Sequence, residues 1–196
     1  MGVGFKRTLT TGDIPVFQGD GKDIQLAQGG FLLDITGLPA SSVIKAGTPM
    51  SFDESTRIAK VIITGVVYEN AGAAATSYKV EKGHSFKVGD NFGAVVGDDA
   101  YPITVIDTSN AAYDMITVGT TIGAVAAGAL VFKSSATGAN AAAFAFPPKG
   151  LLFAETTVES GESVSVVIRG TVYARRVPYS ADLAAALPLI IYSQSF

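Results

Sequence analysis

The sequence predicts a mainly β protein with one short helix near its C-terminus, in which a parent β domain carries an inserted small β-barrel or sandwich. Three observations lead there. Short runs rich in β-branched and aromatic residues recur between Gly, Pro, Asn and Asp turn signals along most of the chain. Only "SADLAAALP" combines a helix cap, a helical run and a stop. Two Ala/Gly-rich, nearly uncharged stretches, Asn70–Ser77 and Ala136–Pro148, bracket a self-contained strand-rich segment.

The first 30 residues hold seven glycines, in "GVG", "TGD", "QGDGKD" and "AQGG". Glycine at that density disfavours a helix by about 1 kcal/mol per site relative to alanine. Residues 1–30 therefore read as an extended arm with strand pieces at Ile14–Phe17 and Asp23–Leu26, able to add a strand to a neighbour's sheet. The parent domain takes residues 31–69 and 146–196. In it, "SSVIKAGTPMSF" is a strand running into a Gly47/Pro49 turn, and "RIAKVIITGVVY" (Arg57–Tyr68) is a β-branched run that Gly65 interrupts.

The insertion takes residues 70–145. Tyr78 and Val80 alternate on one strand, and Phe86 and Val88 on a second, "HSFKV", after a Gly83–His84 turn. Ile103–Ile106 and Met115–Val118 are strands joined by the polar stretch Asp107–Asp114, and "AGALVFKSS" supplies another. Back in the parent domain, Val164, Val166 and Ile168 alternate with Ser165, Val167 and Arg169, which predicts one apolar and one mixed face. Ser180 caps the helix, Asp182 sits in its first turn, Pro188 stops it, and "LIIYSQSF" is a terminal strand.

Composition narrows the function. The 196 residues are 48% hydrophobic and 16% charged, against roughly 25% charged in an ordinary soluble domain. The longest uncharged apolar tract, Thr121–Phe132, is 12 residues, too short for a bilayer core that needs about 20. Met1–Pro15 lacks the apolar run of a signal peptide. Low charge without a span describes a subunit that covers apolar surface with partners. A net charge of −3 with scattered Lys and Arg argues against nucleic acid.

Catalytic patterns fail one by one. Without cysteine there are no disulfides, thiolates or Cys-ligated zinc, and a lone histidine, His84, excludes zinc sites built on several imidazoles. "GVGFKR" and "GDGKDI" lack the third glycine of a dinucleotide fingerprint. His84, between Lys82 and Lys87, reads as an exposed or strand-edge residue kept neutral by nearby positive charge. Asp20, Asp23, Asp90, Asp98, Asp99 and Asp107 read as turn formers rather than calcium ligands. Tyr68, Tyr78, Phe86, Phe92, Tyr101 and Tyr113 serve a core or a sugar-stacking platform, and Arg175–Arg176 reads as a solvated strand edge. The residues thus assign no catalytic, cofactor-binding or metal-binding position.

"VVIRGTVYARRVPYSADLAAALPLIIYSQ" resembles the end of tailed-bacteriophage head decoration and head-fibre proteins, which finish with a G-x-V strand, a short helix ending in "ALP" and a last strand. "VIKAGTPMSFD" is similar to the I-x-A-G-T-P segment of their N-terminal half. "FKVGDNF", "ITVIDTSNAAYDMITV" and "AAGALVF" are similar to β-modules of phage head proteins. The resemblance implies a decoration-type mixed β domain, a homo-oligomer with a trimer favoured, the major capsid protein as partner, and no enzymatic activity. It also implies a place on the virion exterior after synthesis in the bacterial host cytoplasm. The alternative reading is a carbohydrate- or cell-surface-binding β-module, with a host-surface glycan as ligand.

Overall fold

The computed structural model describes residues 15–19 and 23–194. Strand accounts for 41% and helix for 5%, with the helix near the C-terminus, so the molecule is mainly β as expected. In chain order the strands begin with β1 (Phe17–Gln18), β2 (Gln25–Leu26), β3 (Phe31–Asp34), β4 (Val43–Ile44), β5 (Pro49–Asp53) and β6 (Ile58–Val61). There follow β7 (Thr64–Val66), β8 (Ser77–Glu81), β9 (Asn91–Gly93), β10 (Ala100–Asp107), β11 (Tyr113–Val118) and β12 (Leu130–Ser134). The chain closes with β13 (Gly150–Leu152), β14 (Thr156–Thr157), β15 (Ser163–Val164), β16 (Val166–Tyr173), helix α1 (Ala181–Ala186) and β17 (Ile190–Ser193).

Two large sheets and a two-stranded one, β14-β4, organise these elements. A nine-stranded sheet runs β1-β16-β13-β5-β6-β3-β15, with β2 and β17 also paired to β16. A six-stranded sheet runs β7-β12-β9-β10-β11-β8 and uses only strands between residues 64 and 134. Its two end strands come together: Val67 bridges Val80, and the Tyr68 N–H donates to the Lys79 carbonyl at 2.8 Å. Inside this curl lies an apolar core that includes Tyr78, Phe86, Phe92, Ile103, Ile116 and Val131. The nine-stranded sheet is covered on both faces, by a cluster around Phe31, Met50, Phe52 and Val166 and by another around Leu151, Val167, Leu183 and Leu187.

Local chemistry explains the elements and two departures from expectation. Ser180 caps α1 by accepting the Leu183 N–H (3.1 Å), and Leu183, which follows Asp182, is fully buried. The run Arg57–Tyr68 is interrupted at Ile62–Ile63 rather than at Gly65, because the chain there leaves β6 in one sheet for β7 in the other. Gly65 lies inside β7, where close packing requires it: a Cβ would stand 2.8 Å from Val80 Cγ1 and 3.0 Å from Phe86 Cε2. "HSFKV" is not a strand. The Phe86 N–H, which a ladder would use, donates to His84 Nδ1 instead, and Lys87–Asp90 forms a tight turn (Asp90 N–H to Lys87 O, 3.0 Å).

Strand β16 keeps the two faces expected of it. Val164, Val166 and Ile168 pack into one cluster and Val167 into another, while Arg169 is exposed, so the expected apolar and mixed faces hold, although Val166 and Val167 are both fully buried. Both valines are buried because the strand is covered from both sides, with the sheet core on one face and Leu183 and Leu187 on the other. The described part of the glycine-rich arm is used within the chain: Phe17 pairs with Val172 and Gln18 with Thr171. Residues 1–14 of that arm, including Ile14, together with residues 20–22 and the last two residues of "LIIYSQSF", lie outside the described residues.

Gly65 gives a direct check. Gly65→Val should lower stability by about 1–3 kcal/mol through overpacking. Gly72→Ala, with nothing within 4 Å of the added methyl, should leave the thermal midpoint nearly unchanged. Thermal and urea unfolding of the two variants would show equal losses if the close approach at Gly65 were not real.

Candidate functional site

The structure gathers ionisable side chains at one place in the curled sheet, where the turn after β8 meets β11. On β11 the buried positions are Asp114, Ile116 and Val118, so alternation aims the Asp114 carboxylate inward with the core residues. Lys82 Nζ donates to Asp114 Oδ1 (2.5 Å) and to the Thr108 carbonyl (3.1 Å). His84 Nε2 lies 3.2 Å from Asp114 Oδ2, and the two side chains are only 5% and 10% exposed. That Nε2 forms no aligned hydrogen bond, so the contact is an electrostatic one off the N–H axis. The ring rests against Phe86, centroids 5.3 Å apart. The His84 side chain is therefore buried, which corrects the expectation of an exposed or strand-edge residue.

Burial holds the His84 imidazole below its ordinary value, with the Lys82 charge adding to the effect and the Asp114 carboxylate opposing it. The ring is neutral at pH 7, and because Nδ1 accepts the Phe86 N–H at 3.2 Å, the proton sits on Nε2. The turn forms one wall of a cleft of about 210 Å³ between the two sheets. Val43, Lys45, Thr64 and Arg176 contribute to its other walls.

The remaining sequence candidates do not converge on this cluster. Asp90 pairs with Lys133 (2.6 Å) and accepts the Lys87 N–H, Asp99 accepts the Asn140 N–H, and Asp107 accepts the Ser109 N–H. Asp98 lies in the exposed turn before β10, Asp23 has an interaction partner, and Asp20 lies outside the described residues. Among the described residues no group of three or more His, Cys, Asp or Glu is placed to hold a metal ion. Arg175 and Arg176 stand in a 3-10 turn, Ala174–Arg176, rather than on a strand edge. Arg176 stacks over Tyr173 at 4.3 Å and donates to the Pro15 carbonyl (2.6 Å). Tyr78, Phe86 and Phe92 are core residues, which removes them from any sugar platform. Tyr68 and Tyr113 remain near the surface as a tilted pair, centroids 5.3 Å apart, with Lys79 over Tyr113 at 5.1 Å.

A second feature lies on the nine-stranded sheet. Leu26, Leu189 and Ile191 are 37%, 57% and 63% exposed and line one open concavity of about 770 Å³. Gln18, Arg169 and Thr171 supply polar groups around it. Leu26 and Ile191 belong to β2 and β17, both held by β16, so a stiff support presents the apolar side chains. No helix among the described residues is long and apolar enough to cross a membrane. No known protein family, curated protein or solved structure matches this chain.

Asp114 was missed in the sequence, although its phase with Ile116 and Val118 marks it as an inward carboxylate that needs a cation. Asp114→Asn should cost about 1 kcal/mol, since the nearly buried carboxylate gives up a charge-assisted bond to the partly exposed Lys82 ammonium. Asp107→Asn, which touches only an exposed turn, should leave the urea midpoint unchanged. Equal midpoints for Asp114→Asn and the parent protein would show that the cluster contributes no stability.

Proposed function

We propose that the protein is a structural subunit of a tailed-phage virion that binds the outer face of the assembled capsid and stabilises or decorates it. It acts without catalysing a reaction, as a homo-oligomer with a trimer favoured, and its partner is the major capsid protein. The observation that carries this reading is the exposed group Leu26, Leu189 and Ile191 around one concavity on paired strands. Large aliphatic side chains gathered on a stiff sheet are what an assembly contact requires, since burying each contributes on the order of 1.5–3 kcal/mol. The low charge fraction of 16% supports the same reading. Many weak contacts then sum through oligomer avidity. The subunit is made in the host cytoplasm and resides on the capsid exterior.

Light scattering of the purified chain should give an oligomer, and sedimentation with intact shells should bring it down while isolated capsid subunits leave it in solution. Ile191→Asp combined with Leu189→Asp should weaken shell binding at least about tenfold, roughly 1.4 kcal/mol. A monomer that ignores intact shells would overturn the reading.

A second reading, a carbohydrate- or cell-surface-binding module, is favoured by the Tyr68–Tyr113 pair, because paired rings near the surface suit sugar stacking. Retention on a glycan array that disappears in Tyr113→Ala would support it. An array without hits would remove it.

A further inference from the structure

We propose that His84 is an acid-operated latch: proton uptake at Nδ1 releases residues 84–86 from the core of the curled sheet and opens the cleft wall that His84 and Ser85 form. The neutral ring sets the local fold of the turn by one specific contact, the Phe86 N–H donating to Nδ1 at 3.2 Å, which aims the Phe86 side chain into the core. Phe86 in turn packs edge-on against Phe92, centroids 5.4 Å apart, inside the curl. A proton on Nδ1 converts the only acceptor in that contact into a donor, so two N–H groups face each other across 3.2 Å in a nearly dry site. The proton comes from solvent, and no other bond changes.

The surroundings bias where this happens. Asp114, from β11, attracts the imidazolium; Lys82, on the same turn, repels it and already occupies Asp114 Oδ1. From β7 the neighbour is Gly65, which carries no charge and whose Cβ position lies 3.6 Å from His84 Cβ. Across the cleft the charged groups are Lys45 and Arg176, and Glu81 stands beside the turn. Burial and Lys82 outweigh Asp114, so the folded ring takes its proton below the ordinary histidine value of 6.5. The sign follows: the folded state binds fewer protons than the unfolded one, and the closed turn is fully stabilised above pH 6.5. That stabilisation is lost as pH falls through the lowered value.

With a single histidine in 196 residues, the imidazole signal is unambiguous in a proton NMR titration. The amide exchange of Phe86, corrected for intrinsic rate, should accelerate at least about tenfold with the same midpoint as the His84 ring. His84→Asn keeps an acceptor two residues before Phe86 but cannot titrate, and its Phe86 amide should stay protected across the same range. The proposal is overturned by Phe86 protection that is flat through the ring's midpoint, or by the same loss in His84→Asn. If that variant does not fold, the coincidence or separation of the two midpoints in the unaltered protein decides alone.

Discussion

The six-stranded sheet bends until β7 and β8 touch, and most of what distinguishes this molecule follows from that closure. The contact is small, a bridge between Val67 and Val80 and the hydrogen bond from Tyr68 to Lys79. Its consequence is a narrow interior that must be filled without strain. Gly65 has no side chain because Val80 and Phe86 already occupy the space. Phe86 can enter only if the chain after β8 folds inward rather than continuing as a strand. That inward turn carries His84 out of solvent and up to Asp114.

Polar groups within the curl are placed with the same economy. The Tyr78 side chain is fully buried, yet its hydroxyl donates to the Ala75 carbonyl (2.7 Å) and accepts the Ile122 N–H (3.1 Å). It thereby fastens two otherwise irregular segments to a ring that packs the core. Asp114 does the equivalent at the opposite end of the β8–β11 pair, with Lys82 and His84 as partners. The nine-stranded sheet differs in kind: its described edges present aliphatic side chains outward, at Leu26 and Ile191. The curled sheet spends its polar groups on shape, and the larger sheet offers surface.

Much of the architecture was legible in the sequence wherever one residue type has one physical use. Ser180, Asp182 and Pro188 define α1, and Tyr78 and Val80 define the inner face of β8. What was not legible depends on contacts distant in sequence. Ile62–Ile63 looks like the middle of a β-branched run and becomes a crossing only because two sheets form. "HSFKV" alternates like a strand, but a side chain takes the backbone donor that would pair it. Val167 is buried because α1 returns across 16 residues to cover it. His84 was misread because only its charged sequence neighbours are visible there, whereas in space the side chain also meets Asp114, Phe86 and the backbone of β7. Asp114 alone left a usable trace, its parity with Ile116 and Val118.

The chain enters the curled sheet at Thr64 and leaves it at Ser134, and these ends are neighbours. β7 and β12 pair side by side, Thr64 opposite Phe132, and the Lys133 N–H donates to the Ile63 carbonyl at 3.0 Å. Departure and return are thus stitched together at the seam between the sheets. A segment joined this way behaves like a pocket sewn onto a coat: its far end can lengthen, shrink or be exchanged while the seam keeps its stitches. Loop-closure cost grows only slowly with the length carried, so the nine-stranded sheet tolerates variety in what hangs from it.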